Sequence, residues 1–164
     1  MKTLLLLRHA KSSWKDGDLD DHDRPLNGRG KRDAPRMGRL LAEESLLPEL
    51  ILCSSAKRCR KTAEHVIAVS GYRGETRITG ELYEAGAEKL REVLAGLTGE
   101  PTRVLLIAHN PGLEELLERW IEVYTPLTTA ALAQIELPIR CWSDLDENTR
   151  GRLVNLWQPR ELES

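Results

Sequence analysis

The chain has 164 residues, 40% of them apolar and 30% charged, with a formal net charge of −2. That length suits one domain, residues 1–164, with a core that needs neither disulfides nor metal, and the charge balance gives no general reason to bind nucleic acid or an anionic membrane. No apolar run approaches a membrane span, and the N-terminal leucines stop at Arg8 with no cleavage site, so no secretory signal is read. Cys53, Cys59 and Cys141 are odd in number and fit no metal-ligand spacing, a pattern expected of reduced thiols in a cytoplasmic protein.

Leu4-Leu5-Leu6-Leu7 is a short apolar run without polar alternation, which predicts a strand buried on both faces. It leads straight into Arg8 and His9. Residues 11–27 are polar, with Trp14 and the acidic run Asp16, Asp18, Asp20, Asp21 and Asp23. As a calcium loop the run fails, because it lacks the central glycine and has Asn27 where the closing glutamate belongs. It reads as a solvated loop, and a tryptophan in such a loop is expected to pack for burial.

Asn27 is the expected cap of a helix whose buried stripe is Ala34, Met37 and Leu41, with Pro48 just beyond its end. Pro35 inside it predicts a kink or a delayed start. Leu50-Ile51-Leu52-Cys53 is a second buried strand. Ser54-Ser55 are expected caps for a helix that turns Ala56, Cys59, Ala63, Val66 and Ile67 inward. A short strand is predicted at 76–79, a loop at 81–84 and a helix near 88–97. Residues 103–108 form the third buried strand, which ends in His109-Asn110-Pro111-Gly112. Asn110 as cap and Pro111 as first helical residue open a helix carrying Leu113, Leu116, Leu117, Trp120 and Ile121. Two β-rich runs near the C terminus, 130–138 and 152–157, are expected as edge strands. The alternation predicts an α/β fold, a three-layer α/β/α sandwich on a mostly parallel sheet.

In open α/β sheets ligands bind beyond the carboxyl ends of the strands. Arg8-His9, Ser54-Ser55 leading to Arg58, and His109 all fall at such ends, two of them at helix N-termini that favour anions. Lys57, Arg58, Arg60 and Lys61 crowd one helix start, where cations are disfavoured by ~0.3–1 kcal/mol each. Lys57, Arg60 and Lys61 are expected to splay into water. Arg58 shares a face with Thr62 and follows the strand end most closely. Two arginines and two histidines make a phosphate site, since guanidinium forks match tetrahedral oxyanions. His9 is expected to act as the nucleophile, its tautomer set by a backbone carbonyl, with His109 protonated opposite it. His22 and His65 are read as ordinary surface or core residues.

With these residues in place, the chain resembles the histidine phosphatase superfamily, the phosphoglycerate mutase-like group, and most closely its small phosphohistidine phosphatases of the SixA type. The family's strand-Arg-His-Gly motif matches Leu4 to Ala10, with alanine for the glycine. Its Arg-Pro-Leu-Thr element matches Arg24-Pro25-Leu26-Asn27 with Gly30. Ser54, Arg58 and Thr62 match a third element, 104–111 a fourth, and 126–131 the family's threonine-bearing turn.

The resemblance implies a metal-independent phosphatase without cofactor, in which Arg8, His9, Arg58 and His109 are catalytic and His9 is phosphorylated in turnover. Arg8, Arg58, His109, Ser12 and Asn110 are expected to bind substrate, and a phosphate or sulfate ion fits the same nest. Larger relatives use a carboxylic acid to protonate the leaving group, a role that Glu81, or else Glu84, would fill; alternatively both are solvated loop residues. The expected partner is a phosphohistidine-bearing protein, because the core elements leave no sequence for a lid and an open pocket suits a side chain on another protein. Trp14 would line its rim. The alternatives are a small phosphate ester as substrate, or a phosphate-recognising module without turnover.

Overall fold

A computed structural model describes residues 1–162. Six strands, β1 (Lys2–Arg8), β2 (Leu50–Ser54), β3 (Glu75–Thr79), β4 (Arg103–Ala108), β5 (Leu132–Leu137) and β6 (Arg152–Trp157), form one sheet in the order β3-β2-β4-β1-β5-β6. The first four are mutually parallel, and β5 and β6 run antiparallel. Helices α1 (Gly28–Glu43) and α2 (Lys57–Ser70) cover one face, and α3 (Ala87–Ala95) and α4 (Gly112–Ile121) the other.

The apolar runs are continuous because both faces of each central strand are covered. Leu5, Leu7, Ile51, Cys53 and Leu105 point under α1 and α2. Leu4, Leu6, Leu50, Leu52 and Val104 point under α3 and α4. Burying each such side chain stabilises the fold by ~1.5–3 kcal/mol. Asn27 caps α1 as expected, its side chain accepting from Gly30 N at 2.9 Å. Among the described residues no helix is long and apolar enough to cross a membrane.

Four expectations are corrected. α1 runs continuously from Gly28 through Pro35, so the proline does not delay its start. The residue capping α2 is Ala56, not Ser54 or Ser55; Ser54 Oγ accepts from Ala56 N at 3.3 Å and also bonds His109. At α4 the cap position belongs to Pro111, reached through a cis peptide, and the Asn110 amide turns instead to Leu127 O. Finally, β5 is no edge strand. It pairs with β1 on one side and β6 on the other, and its polar Gln134 and Glu136 face out between those neighbours.

Candidate active site

The register of the central strands assembles the site. Arg8 pairs with Ala108 across β1 and β4, so the next residue of each chain segment, His9 and His109, leaves the sheet at the same point. Their ring centroids lie 5.3 Å apart. Arg58, on the first turn of α2, reaches the same edge and brings Nη2 within 3.3 Å of His109 Nδ1. Arg8 is fixed by Nη1 donating to Leu127 O at 3.0 Å.

His9 Nδ1 lies 2.8 Å from Ala10 O. A carbonyl oxygen only accepts, so Nδ1 carries the proton and Nε2 keeps its lone pair. The turn is tied to α2: Ala10 N donates to Thr62 Oγ1 at 2.9 Å, and that hydroxyl donates to Arg58 O at 2.7 Å. Burial lowers the His9 pKa to about 3, with the charges of His109, Arg58 and Arg8 adding to the effect and the Ala10 bond opposing it. At neutral pH the imidazole is therefore uncharged, the form that can act as a nucleophile.

His109 is held from both ends. A guanidinium only donates, so Nδ1 accepts from Arg58 and the proton sits on Nε2, which donates to Ser54 Oγ at 2.8 Å. Burial, followed by the charge of Arg58, lowers its pKa to about 4. His109 is thus neutral in the free protein, against the expectation of an imidazolium, because two guanidiniums face it in a poorly solvated site. Among the described residues, Arg8 Nε and Arg58 Nε are buried without a hydrogen-bond partner, as are Arg91 Nε and Arg103 Nε away from the site.

The 11–27 loop is only partly the solvated loop expected. Asp16, Asp18, Asp20 and Asp23 are exposed, but Asp21 turns in. Its Oδ2 accepts from Arg58 Nη2 at 3.1 Å and from the Tyr83 hydroxyl at 2.5 Å, and its Oδ1 from Arg24 Nε at 3.1 Å. Its backbone carbonyl accepts from Arg58 Nη1 at 2.8 Å. The Tyr83 hydrogen bond, then the positive charge of Arg58, holds the Asp21 carboxyl at about 2. His22, read as an ordinary surface or core residue, is half-buried: Nε2 contacts Ser55 Oγ at 2.8 Å, and the ring meets Tyr83 edge-on. Tyr83 in turn packs edge-on against His109. Trp14, read either as packed for burial or as lining the pocket rim, is 72% exposed, with the Arg24 guanidinium 3.5 Å from its ring centre.

Arg8, His9, Arg58, His109, Asp21, Arg24 and Trp14 border an open pocket of about 250 Å³, which Ser12 and Asn110 line as well. Ser12 Oγ accepts from Arg24 Nη1 at 2.7 Å, and Asn110 Nδ2 donates to Leu127 O at 2.9 Å. Glu81 is outside. Thr79 Oγ1 accepts from its backbone N–H, and its exposed carboxylate pairs with Lys89 at 3.6 Å. Glu84, three residues on, borders the pocket instead. Asp21, Lys11 and Thr129 also border it and were not singled out as site residues in the sequence. Among the described residues, hollows of about 340 Å³ beside Trp120 and about 610 Å³ beside Arg150 are lined by no histidine, cysteine or serine.

Comparison with known proteins bears on the family and the fold. Residues 4–93 match the histidine phosphatase superfamily (branch 1). An uncharacterised protein of Mycobacterium leprae is 33% identical over 161 residues, covering 96% of this chain and 94% of that protein. A crystal structure assigned as phosphohistidine phosphatase SixA from Agrobacterium tumefaciens superposes with a TM-score of 0.82 at 30% identity, covering 96% of this chain and 98% of that one. Protein histidine phosphatase SixA complexed with tungstate also gives 0.82, at 24% identity over 98% and 99% of the two chains, a likeness of fold. The family match and the likeness to the Agrobacterium tumefaciens structure support phosphatase activity. The chain belongs to the histidine phosphatase superfamily.

Proposed function

We propose that the chain is a phosphatase that removes the phosphoryl group from phosphohistidine in a protein, through a phosphorylated His9. The observation that supports it best is His9 itself, neutral, with Nδ1 anchored on Ala10 O and Nε2 bare among Arg8, Arg58 and His109. Arg8 and Arg58 bind the phosphoryl oxygens. Nε2 attacks phosphorus as the bond to the substrate nitrogen breaks, and the substrate imidazole, already protonated on its other nitrogen, departs neutral with the bonding pair. A water molecule then attacks the phosphorus on His9. The P–N bond breaks, the bonding pair returns to Nε2, and dihydrogen phosphate leaves with both protons of the water.

A bound phosphoryl dianion reverses the local charge at His109, raising its pKa and favouring a proton on Nδ1, where it stabilises the transferring group. Leaving-group chemistry favours phosphohistidine. Imidazole, with an ordinary pKa of ~6.5, departs with less help from an acid than an alkoxide requires. The best-placed carboxylates are Asp21, which stays ionised at about 2, and Glu84, which is exposed at the rim.

The test is brief incubation with a labelled phosphoryl donor. An acid-labile label is expected on the wild-type chain and absent from His9→Ala; label persisting in that variant removes His9 from its role. Arg58→Ala is expected to weaken vanadate binding. Faster turnover of sugar phosphates than of a phosphohistidine protein would replace the proposed substrate with a small ester.

A further inference from the structure

Trp14 has no role in the nest just described. Its indole makes no hydrogen bond among the described residues, it does not pack into the core, and it borders the pocket that holds His9. Other large exposed apolar side chains, such as Ile78, Val123 and Tyr124, do not border it.

The position of the indole is built rather than incidental. One of its faces lies against Arg24, a side chain itself only 8% exposed. Arg24 is fixed by Asp21 Oδ1 at 3.1 Å, Ser12 Oγ at 2.7 Å and Ser13 O at 3.4 Å. The backbone around it is tied as well: Ser13 N donates to Pro25 O at 2.8 Å and Asn27 N to Lys11 O at 3.0 Å. Gly30 packs so closely under Lys11 that a Cβ there would lie 2.2 Å from the Lys11 carbonyl oxygen. A fixed cation thus backs an aromatic ring whose other face is uncovered.

We infer that Trp14, backed by Arg24, forms a subsite for a planar ring attached to the phosphoryl group, while the nest holds the phosphoryl group itself. The inference rests on the proposed reaction only in identifying that ring as the imidazole of phosphohistidine. Stacking on an aromatic side chain tolerates any flat π-system, and removing such a side chain typically costs ~5- to 150-fold in affinity. The pocket of about 250 Å³ leaves room beyond the phosphoryl group for such a ring.

Two non-hydrolysable anions, phenylphosphonate and methylphosphonate, separate the ring from the charge. The wild-type protein is expected to prefer phenylphosphonate, and Trp14→Ala to reduce that preference about tenfold, with Trp14→Phe restoring most of it. An unchanged ratio of the two dissociation constants in Trp14→Ala overturns the subsite, as does an equal loss of affinity for both anions. In turnover, the ratio of kcat/KM for phosphohistidine over phosphoramidate, which has the same P–N bond and no ring, should fall by a similar factor. A wild-type chain that binds the phosphonates with the expected preference but hydrolyses neither phosphoramidate nor phosphohistidine would overturn the catalytic reading and support the subsite.

Discussion

Two buried neutral imidazoles make the fold sensitive to mild acid. The folded pKa values of His9 and His109, about 3 and about 4, lie below the ordinary 6.5. The unfolded chain therefore binds more protons than the folded one at any pH between those values and 6.5, and stability falls as the pH drops through that range. From pH 7 to pH 5 each imidazole contributes a loss of about 2 kcal/mol, about 4 kcal/mol for the pair. For a domain whose total stability is ~5–15 kcal/mol, that is a large share. Asp21 does not confuse the measurement: its depressed carboxyl contributes stability that is lost only as the pH falls below its ordinary value of 3.8 toward about 2, outside the window. The assay is urea unfolding at pH 7 and pH 5 in buffers without phosphate or sulfate, since a bound anion would raise both imidazole pKa values. His9→Gln cannot titrate and should halve the difference; adding His109→Gln should remove most of the rest. A wild-type protein equally stable at both pH values, or a His9→Gln variant that keeps the full difference, refutes the reasoning.

Three further predictions concern the supports of the nest. Asp21→Ala removes one carboxylate contact from each of Arg58 and Arg24, and kcat/KM on a phosphohistidine protein should fall about tenfold, near the ~1.4 kcal/mol of a single well-placed charged contact; a rise would mean that the carboxylate competes with the substrate. Ser54→Ala leaves His109 Nε2–H only the weak acceptor Cys59 Sγ, 3.5 Å away, at a cost of ~1–3 kcal/mol in denaturant unfolding together with slower turnover. Unchanged stability and rate would show that the Ser54 hydroxyl is not what holds the imidazole. Gly30→Ala forces a Cβ against backbone at 2.2 Å and should cost ~1–3 kcal/mol by thermal or chemical unfolding, with vanadate affinity reduced because the displaced segment begins two residues after His9. A melting temperature equal to that of the wild type would refute the steric argument.

The histidines and arginines of the nest were legible from sequence for a topological reason. A parallel sheet sends the carboxyl ends of its strands to one edge, so polar residues after buried apolar runs must meet there. The run Leu4–Leu7 and the run 104–108 identify such strands without reference to any contact, and their register then brings His9 and His109 together. The caps were less legible. Ser54 and Asn110 are good capping residues by type, but each uses its side chain elsewhere, on His109 and on Leu127 O. β5 was misplaced because Gln134 and Glu136 give it the alternation of an edge strand, and nothing local in 152–157 says that β6 will pair outside it.

Asp21 marks where such reading stops. By residue type it is one of five aspartates in a polar stretch, and what sets it apart is contact with Arg58, 37 residues away, and with Tyr83, 62 residues away. Trp14 and Glu84 were reached only through the family resemblance, Trp14 as a rim residue and Glu84 as second choice after Glu81, since their places at the pocket depend on how a loop returns rather than on a strand end. The division has a functional counterpart. In the proposed reaction, groups on strand ends and at the start of α2 would supply the chemistry of phosphoryl transfer. Groups on the returning loops border the mouth and would meet whatever the phosphoryl group is attached to. A loop can be altered without disturbing strand register, so substitutions at Trp14 or Glu84 should shift which substrate is preferred, whereas those at Arg8, His9, Arg58 or His109 should lower turnover on every substrate alike. A Trp14 or Glu84 variant that slows all substrates by one common factor would break this separation, and with it the assignment of the loop to recognition.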